Sequence, residues 1–310
     1  MTANGSGRDR PVLVVLAAGM AKRYGGCKPL APVGLHGEAA IDLIAGDAVS
    51  AGFGDIVVVL GPQTGPAIAY HVRRSFPSWT TVAFAEQRVP LGTAHAVLCA
   101  RTHVGDGPFA VVNSDDIYGV PAMSLLACEL AERDEHAIVS YRLRDTIVTD
   151  DPVTRGTCEV GPDGLLVRLV ERRVVTRRSD GAFDVGDGLE PAELSGDTPV
   201  SVNLWGFQHS IWPVLEAAVL GAHPSVSPDG TVRDPDNLTS AAEVLLPEVV
   251  GDMITGRAGG GEVGTAVRVL DGPGRCIGVT HSDDLPVVRN ELALMVAQGL
   301  RPEGPWDPTG

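Results

Sequence analysis

A chain of 310 residues that is 44% hydrophobic can bury a full core, which argues against a disordered or fibrous molecule. Asp and Glu number 39 against 24 Lys and Arg, and the net charge of −15 disfavours nucleic acid as a partner. Cys27, Cys99, Cys128, Cys158 and Cys276 are scattered without a CxxC pair, which speaks against a disulfide framework and a zinc site and suits a reducing cytoplasm.

In chain order, the first apolar run is "PVLVVLA" at 11–17, flanked as a buried strand is. It stands behind Arg8 and Arg10 but is short and leads straight into Lys22 and Arg23, so it reads as a strand rather than a signal-peptide core. No apolar run reaches the length of a membrane span. A glycine-rich turn with Gly19, Gly25 and Gly26 follows, and Glu38 to Ala51 has helical spacing up to a stop at Gly52. "DIVVVLG" at 55–61, "PFAVVN" at 108–113 and "AIVSYR" at 137–142 are further buried strands, with helices predicted over Thr93–Ala100 and Ala122–Arg133. Strand alternating with helix predicts an α/β fold: a doubly wound, mostly parallel sheet covered on both faces.

Beyond residue 142 the pattern changes. Thr157–Val160 and Leu165–Val170, joined by "GPDG", read as a hairpin, because a Pro-Asp-Gly turn links two extended runs. Thr176 to Thr198 is polar and rich in Gly and Asp, and is expected to be a loop or ragged insertion. "PVSVNLWGF" at 199–207 is a strand, followed by a helix from about His209 and a loop over Gly221–Asn237. Ser240–Ile254 reads as a helix, Ala266–Leu270 and Cys276–Val279 as strands, and Asp283–Gln298 as a closing helix with Pro286 in its first turn and Gly299 as its stop. The whole is expected to form one domain over 1–310, with a β-rich insertion in its second half.

The turn after the first strand raises the chemical question. A glycine-rich turn between strand and helix points several backbone NH groups into one concavity, where phosphate oxygens bind. Two familiar phosphate loops are excluded: Ala21 stands where a dinucleotide fingerprint needs its second glycine, and Lys28 is followed by Pro29 where a P-loop needs Ser or Thr.

The stretch "LAAGMAKRYGGCKPLAPV" resembles the signature loop of the nucleotidyltransferases that join a nucleoside triphosphate to a phosphorylated sugar, alcohol or cofactor. Leu16, Gly19, Arg23, Lys28, Pro29 and Pro32 fall on the pattern, with Ala21 departing from it. The five-residue step from Arg23 to Lys28 is similar to the molybdopterin-type and methylerythritol-type branches. "AEQRVPLGTAHAV" at 85–97 resembles the base-reading segment, and "VVNSDDIYG" at 111–119 the strand end that carries a metal-binding aspartate, with Ser114 departing from the common Gly or Ala. Weaker likenesses follow in "TRGTCEV", "VRLVERR" and "SVNLWGF".

The resemblance implies a Rossmann-like transferase with a nucleotide-binding half at 1–142 and an acceptor half with closing strand and helix at 143–310. It implies Ala17, Ala18, Gly19, Met20, Ala21, Gln87, Gly92 and Thr93 around the nucleotide, and Gly156, Glu171 and Asn203 around the acceptor. Arg172 falls where many members have Lys. Arg23, Lys28 and Asp115 are its catalytic set, with Asp115 and Asp284 as ligands of Mg²⁺ or Mn²⁺; Asp283 and Thr280 are alternatives to Asp284, and a helix cap is another reading of it. The expected partners are a nucleoside triphosphate and a phosphorylated small molecule, with no membrane involved. The implied reaction forms a nucleoside-diphosphate sugar or cyclitol. A cytidylyltransferase for a small alcohol phosphate or phosphonate, and a silent nucleotide-binding homologue, are the alternatives. Planar Arg23 suits pyrophosphate oxygens, while Lys28 supplies a point charge. The nucleophile is already an anion, so no general base is required.

Overall fold

The structure is a computed structural model, and it describes residues 10–19, 25–149, 151–233, 242–257, 265–279 and 281–306. Its first half alternates strand and helix: β1 (Val12–Ala17), α1 (Ala40–Ser50), β2 (Ile56–Leu60), α2 (Gly65–Ser75), β3 (Val82–Glu86), α3 (Thr93–Cys99), α4 (Arg101–Val104), β4 (Phe109–Asn113), β5 (Asp116–Ile117), α5 (Val120–Glu132) and β6 (His136–Arg142). There follow β7 (Val153–Val160), β8 (Leu166–Arg177), β9 (Phe183–Val185), β10 (Glu193–Leu194), β11 (Pro199–Phe207), α6 (Ile211–Ala222), α7 (Leu246–Ile254), β12 (Val267–Asp271), β13 (Ile277–Gly278) and α8 (Leu285–Ala297).

β1 lies between β2 and β4, both parallel to it, with β3 beyond β2. Because side chains alternate along a strand, Leu13, Val15 and Ala17 enter a core shared with α1, α2, α5 and α8, while Val14 enters the opposite core with α3, α6 and α7. Both faces are therefore covered, which is why these strands read as unbroken apolar runs. The buried guanidinium of Arg301 reaches Asp47 of α1 at 3.0 Å and pins the C-terminal segment to this layer.

The second half is an antiparallel arm, β7–β8–β9–β10, joined to the parallel strands through β11. β11 changes neighbours along its length. Val200 and Ser201 pair with β7, whereas Trp205 to Phe207 pair with β4, and β6 lies along its other side. The changeover is a bulge between Ser201 and Trp205, within which Asn203 takes a left-handed φ of 63°. The sheet forks here, and the fork opens a cleft.

Three expectations are amended by the structure. α2 and β3 occupy a stretch in which the sequence reading placed no element. The polar stretch 176–198 carries β9 and β10, whose Phe183, Val185 and Leu194 join Val175 and Val200 in a third apolar cluster. Its buried Arg172 is a structural residue: its guanidinium donates to Asp187 at 2.8 and 3.1 Å and to the carbonyls of Leu189 and Pro191 at 2.9 Å. The helix expected from Ser240 begins at Leu246, since Val244 donates to Leu91 and accepts from Ala94, which holds the preceding residues extended; Ser240 itself lies outside the described residues.

Candidate functional site

The carboxyl ends of β1 and β4 bring together residues far apart in sequence. Ala17 is buried at the end of β1, followed by Ala18 and Gly19, while Met20, Ala21 and Arg23 lie outside the described residues. Among the described residues nothing lies within 4 Å of a Cβ placed on Gly19. Gly61, at the end of β2, is the glycine that packing requires, since a Cβ would stand 2.5 Å from the Ala18 carbonyl oxygen. Lys28 opens a short 3-10 turn, and its Nζ lies 3.2 Å from Asp115 Oδ2 across 87 positions of sequence.

Asp115 sits in a braced turn. The Tyr118 hydroxyl donates to the Val202 carbonyl at 2.9 Å and accepts from the Asn113 amide at 3.0 Å, and the Tyr141 hydroxyl donates to the Tyr118 carbonyl at 2.8 Å. Asn113 Nδ2 donates to Asp116 at 2.8 Å. The closing strand β13 pairs with β5, the Val279 amide donates to the Asp115 carbonyl, and Gly278 leaves room for the Asp116 carboxylate. Burial, reinforced by the negative charge of Asp116, pushes the Asp115 carboxyl up to about 6 against the opposing pull of Lys28. With 26% of its side chain still exposed, Asp115 meets the chemistry a hard divalent cation demands: an oxygen donor beside a second carboxylate, the pair faced by the single charge of Lys28.

Gln87 is buried, and its amide nitrogen donates to the Gly92 carbonyl at 2.9 Å and to His95 Nδ1 at 3.2 Å. It lines a cleft of about 560 Å³ at the ends of β2 and β3, with Leu60, Gly61, Pro66 and Phe84. Gly92 has φ 98°, and a Cβ there would stand 2.3 Å from the Val244 carbonyl oxygen. Thr93 Oγ1 accepts from the Leu246 amide at 2.8 Å. Gly92 and Thr93 are thus tied to the start of α7 by packing and capping.

Gly156, Glu171 and Asn203 line one cleft of about 600 Å³ at the sheet fork, together with Asn113 and Asp116. Gly156 faces Glu171 on β8 and Ser201 on β11, with Leu169 and Ser201 close enough to crowd any side chain placed there. Glu171 is exposed and lies 3.4 Å from Arg173. Asn203 Oδ1 accepts the indole NH of Trp205 at 3.1 Å. The same cleft takes Glu248 and Asp252 from α7, which the sequence reading did not single out. Their four-residue spacing on one helix face was the available signal.

Asp284 caps its own turn, accepting the His281 amide at 2.6 Å. Its carboxylate gathers with Asp151 and His281, ligand atoms all within 4.8 Å of one another, and Asp115 does not belong to that group. Thr280 lies outside the described residues.

Residues 13–220 match the model of the MobA-like NTP transferase domain family. The bifunctional protein GlmU of Geotalea uraniireducens is 28% identical over 197 residues, which cover 62% of this chain and 40% of that protein. The UTP–glucose-1-phosphate uridylyltransferase YngB of Bacillus subtilis is 29% identical over 128 residues, 34% of this chain and 43% of that one. The chain thus spans only about 40% of the length of such relatives. The structure of the inositol-1-phosphate CTP transferase from T. maritima superposes with a TM-score of 0.61 at 15% identity, covering 95% of this chain and 98% of the other, and so shares its fold.

Proposed function

The chain belongs to the MobA-like NTP transferase domain family, and from that membership we propose that it transfers a nucleotidyl group from a nucleoside triphosphate to a sugar 1-phosphate or a cyclitol phosphate, releasing pyrophosphate. The observation that carries the reading is the 3.2 Å contact between Lys28 and Asp115 at the sheet's carboxyl edge, where ligands gather in open α/β folds. Asp116, immediately after Asp115, and Asn113, two positions before it, line the cleft that holds Gly156, Glu171 and Asn203. The phosphate-handling groups and the acceptor groups are therefore neighbours.

In the reaction an oxygen of the acceptor phosphate bonds to the α-phosphorus, and the bond to the pyrophosphate oxygen breaks with its electron pair departing on pyrophosphate. No proton needs to move. Lys28 places a positive charge at the phosphoryl group, and Arg23 supplies a planar fork to the pyrophosphate oxygens. Gly19, with no side chain, lets a phosphate oxygen approach its backbone amide. Asp115 would hold a divalent cation, Mg²⁺ or Mn²⁺, and that ion when bound supplies neutralisation of phosphate charge. In the acceptor cleft Glu171 accepts hydrogen bonds from hydroxyl groups and Asn203 contributes its amide, which suits a polyhydroxylated acceptor. Gln87 faces the base. The two halves act as one nucleotidyltransferase domain.

The acceptors named for the relatives are glucose 1-phosphate in YngB and inositol 1-phosphate in the T. maritima transferase, and both are polyol phosphates. A matrix of four triphosphates against glucose, N-acetylglucosamine and inositol phosphates, read by pyrophosphate release, tests the proposal. Turnover of one polyol phosphate is the expected result. Turnover confined to small alcohol phosphates, or none with any pair, overturns it.

A further inference from the structure

We infer that His95 is a positioning residue that fixes which end of the Gln87 amide a nucleobase meets; this rests on the transferase reading above. His95 is fully buried on α3. Its Nε2 lies 2.8 Å from the carbonyl oxygen of Gly230, which can only accept, so Nε2 carries the proton. Burial holds the imidazole below its ordinary pKa, so the ring is neutral and Nδ1 presents a lone pair. The Gln87 amide group at 3.2 Å from that lone pair must therefore be its NH₂ end. The second amide hydrogen goes to the Gly92 carbonyl, 2.9 Å away, so the two contacts together hold the amide in one orientation. Both amide hydrogens are directed inward, and Oε1 is the end left for a ligand.

The consequence is a selectivity rule. An unrestrained glutamine could turn its amide over and pair with either a donor or an acceptor on a base edge. This one offers an acceptor, so the base is recognised through an N–H group. The restraint reaches across 135 positions of sequence to the turn Ser227–Gly230. That turn is itself fitted to α3, because a Cβ on Gly230 would stand 2.9 Å from Cys99. All four bases carry an N–H somewhere on this edge, so the discrimination is positional: a base that turns an acceptor such as a ring nitrogen or carbonyl toward Oε1 leaves it unpaired, which is how sites that hydrogen-bond a ligand reject its analogues.

The test has two arms. In the first, ¹⁵N chemical shifts of the imidazole in the intact wild-type chain report the tautomer. A single neutral form protonated at Nε2 is expected at pH 7, and a ring protonated at Nδ1, or at both nitrogens, overturns the inference. In the second, kcat and KM for the four triphosphates are compared between wild type and His95→Phe, which keeps a planar ring and removes both nitrogens. The ratio of kcat/KM between the best and second-best triphosphate should fall at least about tenfold, mostly through KM. A folded variant with the wild-type ranking overturns the inference. If His95→Phe does not fold, the tautomer decides. A wild-type chain that binds no triphosphate removes the transferase reading, and the tautomer still judges the restraint by itself.

Discussion

Replacing Asp115 by Asn should stabilise the protein while removing its activity. The carboxyl of Asp115 titrates at about 6 in the folded chain against 3.8 for the ordinary group, chiefly because burial and Asp116 disfavour its charge. The protonated form is thus the one folding prefers. The stability it brings is fully present below about pH 3.8 and is lost as pH rises through about 6. Each pH unit between the two values is worth about 1.4 kcal/mol, which sets a ceiling of about 3 kcal/mol at neutral pH. Water reaching the quarter-exposed side chain relaxes part of that, leaving about 1–2 kcal/mol, or a melting temperature raised by about 4 °C in a chain of this size. Calorimetric melts of wild type and Asp115→Asn at pH 7.5, 6.0, 5.0 and 4.0 read the effect. The variant should melt higher at pH 7.5, and the gap should narrow steadily below pH 6. A variant that melts lower at pH 7.5, or a gap indifferent to pH, refutes the reasoning. Turnover, assayed in parallel, should be lost, since the amide keeps the shape and discards the charge.

Lys28→Ala and Arg23→Ala should each lower turnover at saturating substrate by at least about a hundredfold without moving the melting temperature by more than a few degrees, because each removes a charge-assisted contact to phosphate. Arg301→Ala should destabilise by about 3–5 kcal/mol in a urea titration, since it leaves the fully buried Asp47 without its partner. Asp284→Asn should cost about 1 kcal/mol of stability as a lost cap and leave turnover within severalfold, whereas a loss of turnover recovered by raising Mg²⁺ would assign the side chain to ligation.

The first half of the chain was legible because its signals are local. Each parallel strand is apolar on both faces, and the turn after β1, the segment from Gln87 to His95 and the turn after β4 are contiguous motifs. α2 escaped notice because Gly65 and Pro66 look like a turn, although proline is accommodated in the first turn of a helix. β3 is an edge strand in which Val82, Ala83 and Phe84 are only partly covered, so its run is weak. The outer part of the arm, β9 and β10, was read as a loop because Phe183, Val185 and Leu194 are too sparse among Gly and Asp to show a period. The cleft at the sheet fork is harder still. Gly156, Glu171 and Asn203 stand on three strands; pairing of β7 with β8 sets Gly156 opposite Glu171, and Asn203 lies in the bulge of β11, features of pairing that one strand's sequence does not announce.

Aspartates after a strand or before a helix are most often caps, and the structure separates the two cases by what each carboxylate does. Asp284 accepts the His281 amide and closes its own turn, so local backbone geometry accounts for it. Asp115 finds no such use. The next helix, α5, begins behind Gly119 with no side-chain cap; the Asp115 carboxylate instead meets Lys28, and that of Asp116 is held by Asn113. Two neighbouring carboxylates are kept at a partly buried strand end, where their charges oppose one another and one of them resists ionisation. A fold selected for stability alone would relieve that with an asparagine or a helix NH. Its persistence in a chain that carries a net charge of −15 is explained if positive charge beyond that of Lys28 arrives from outside, as a cation that accompanies a triphosphate. Local strain of this kind, set against the satisfied cap at Asp284, is the physical reason to seat the chemistry at the end of β4 rather than at the start of α8.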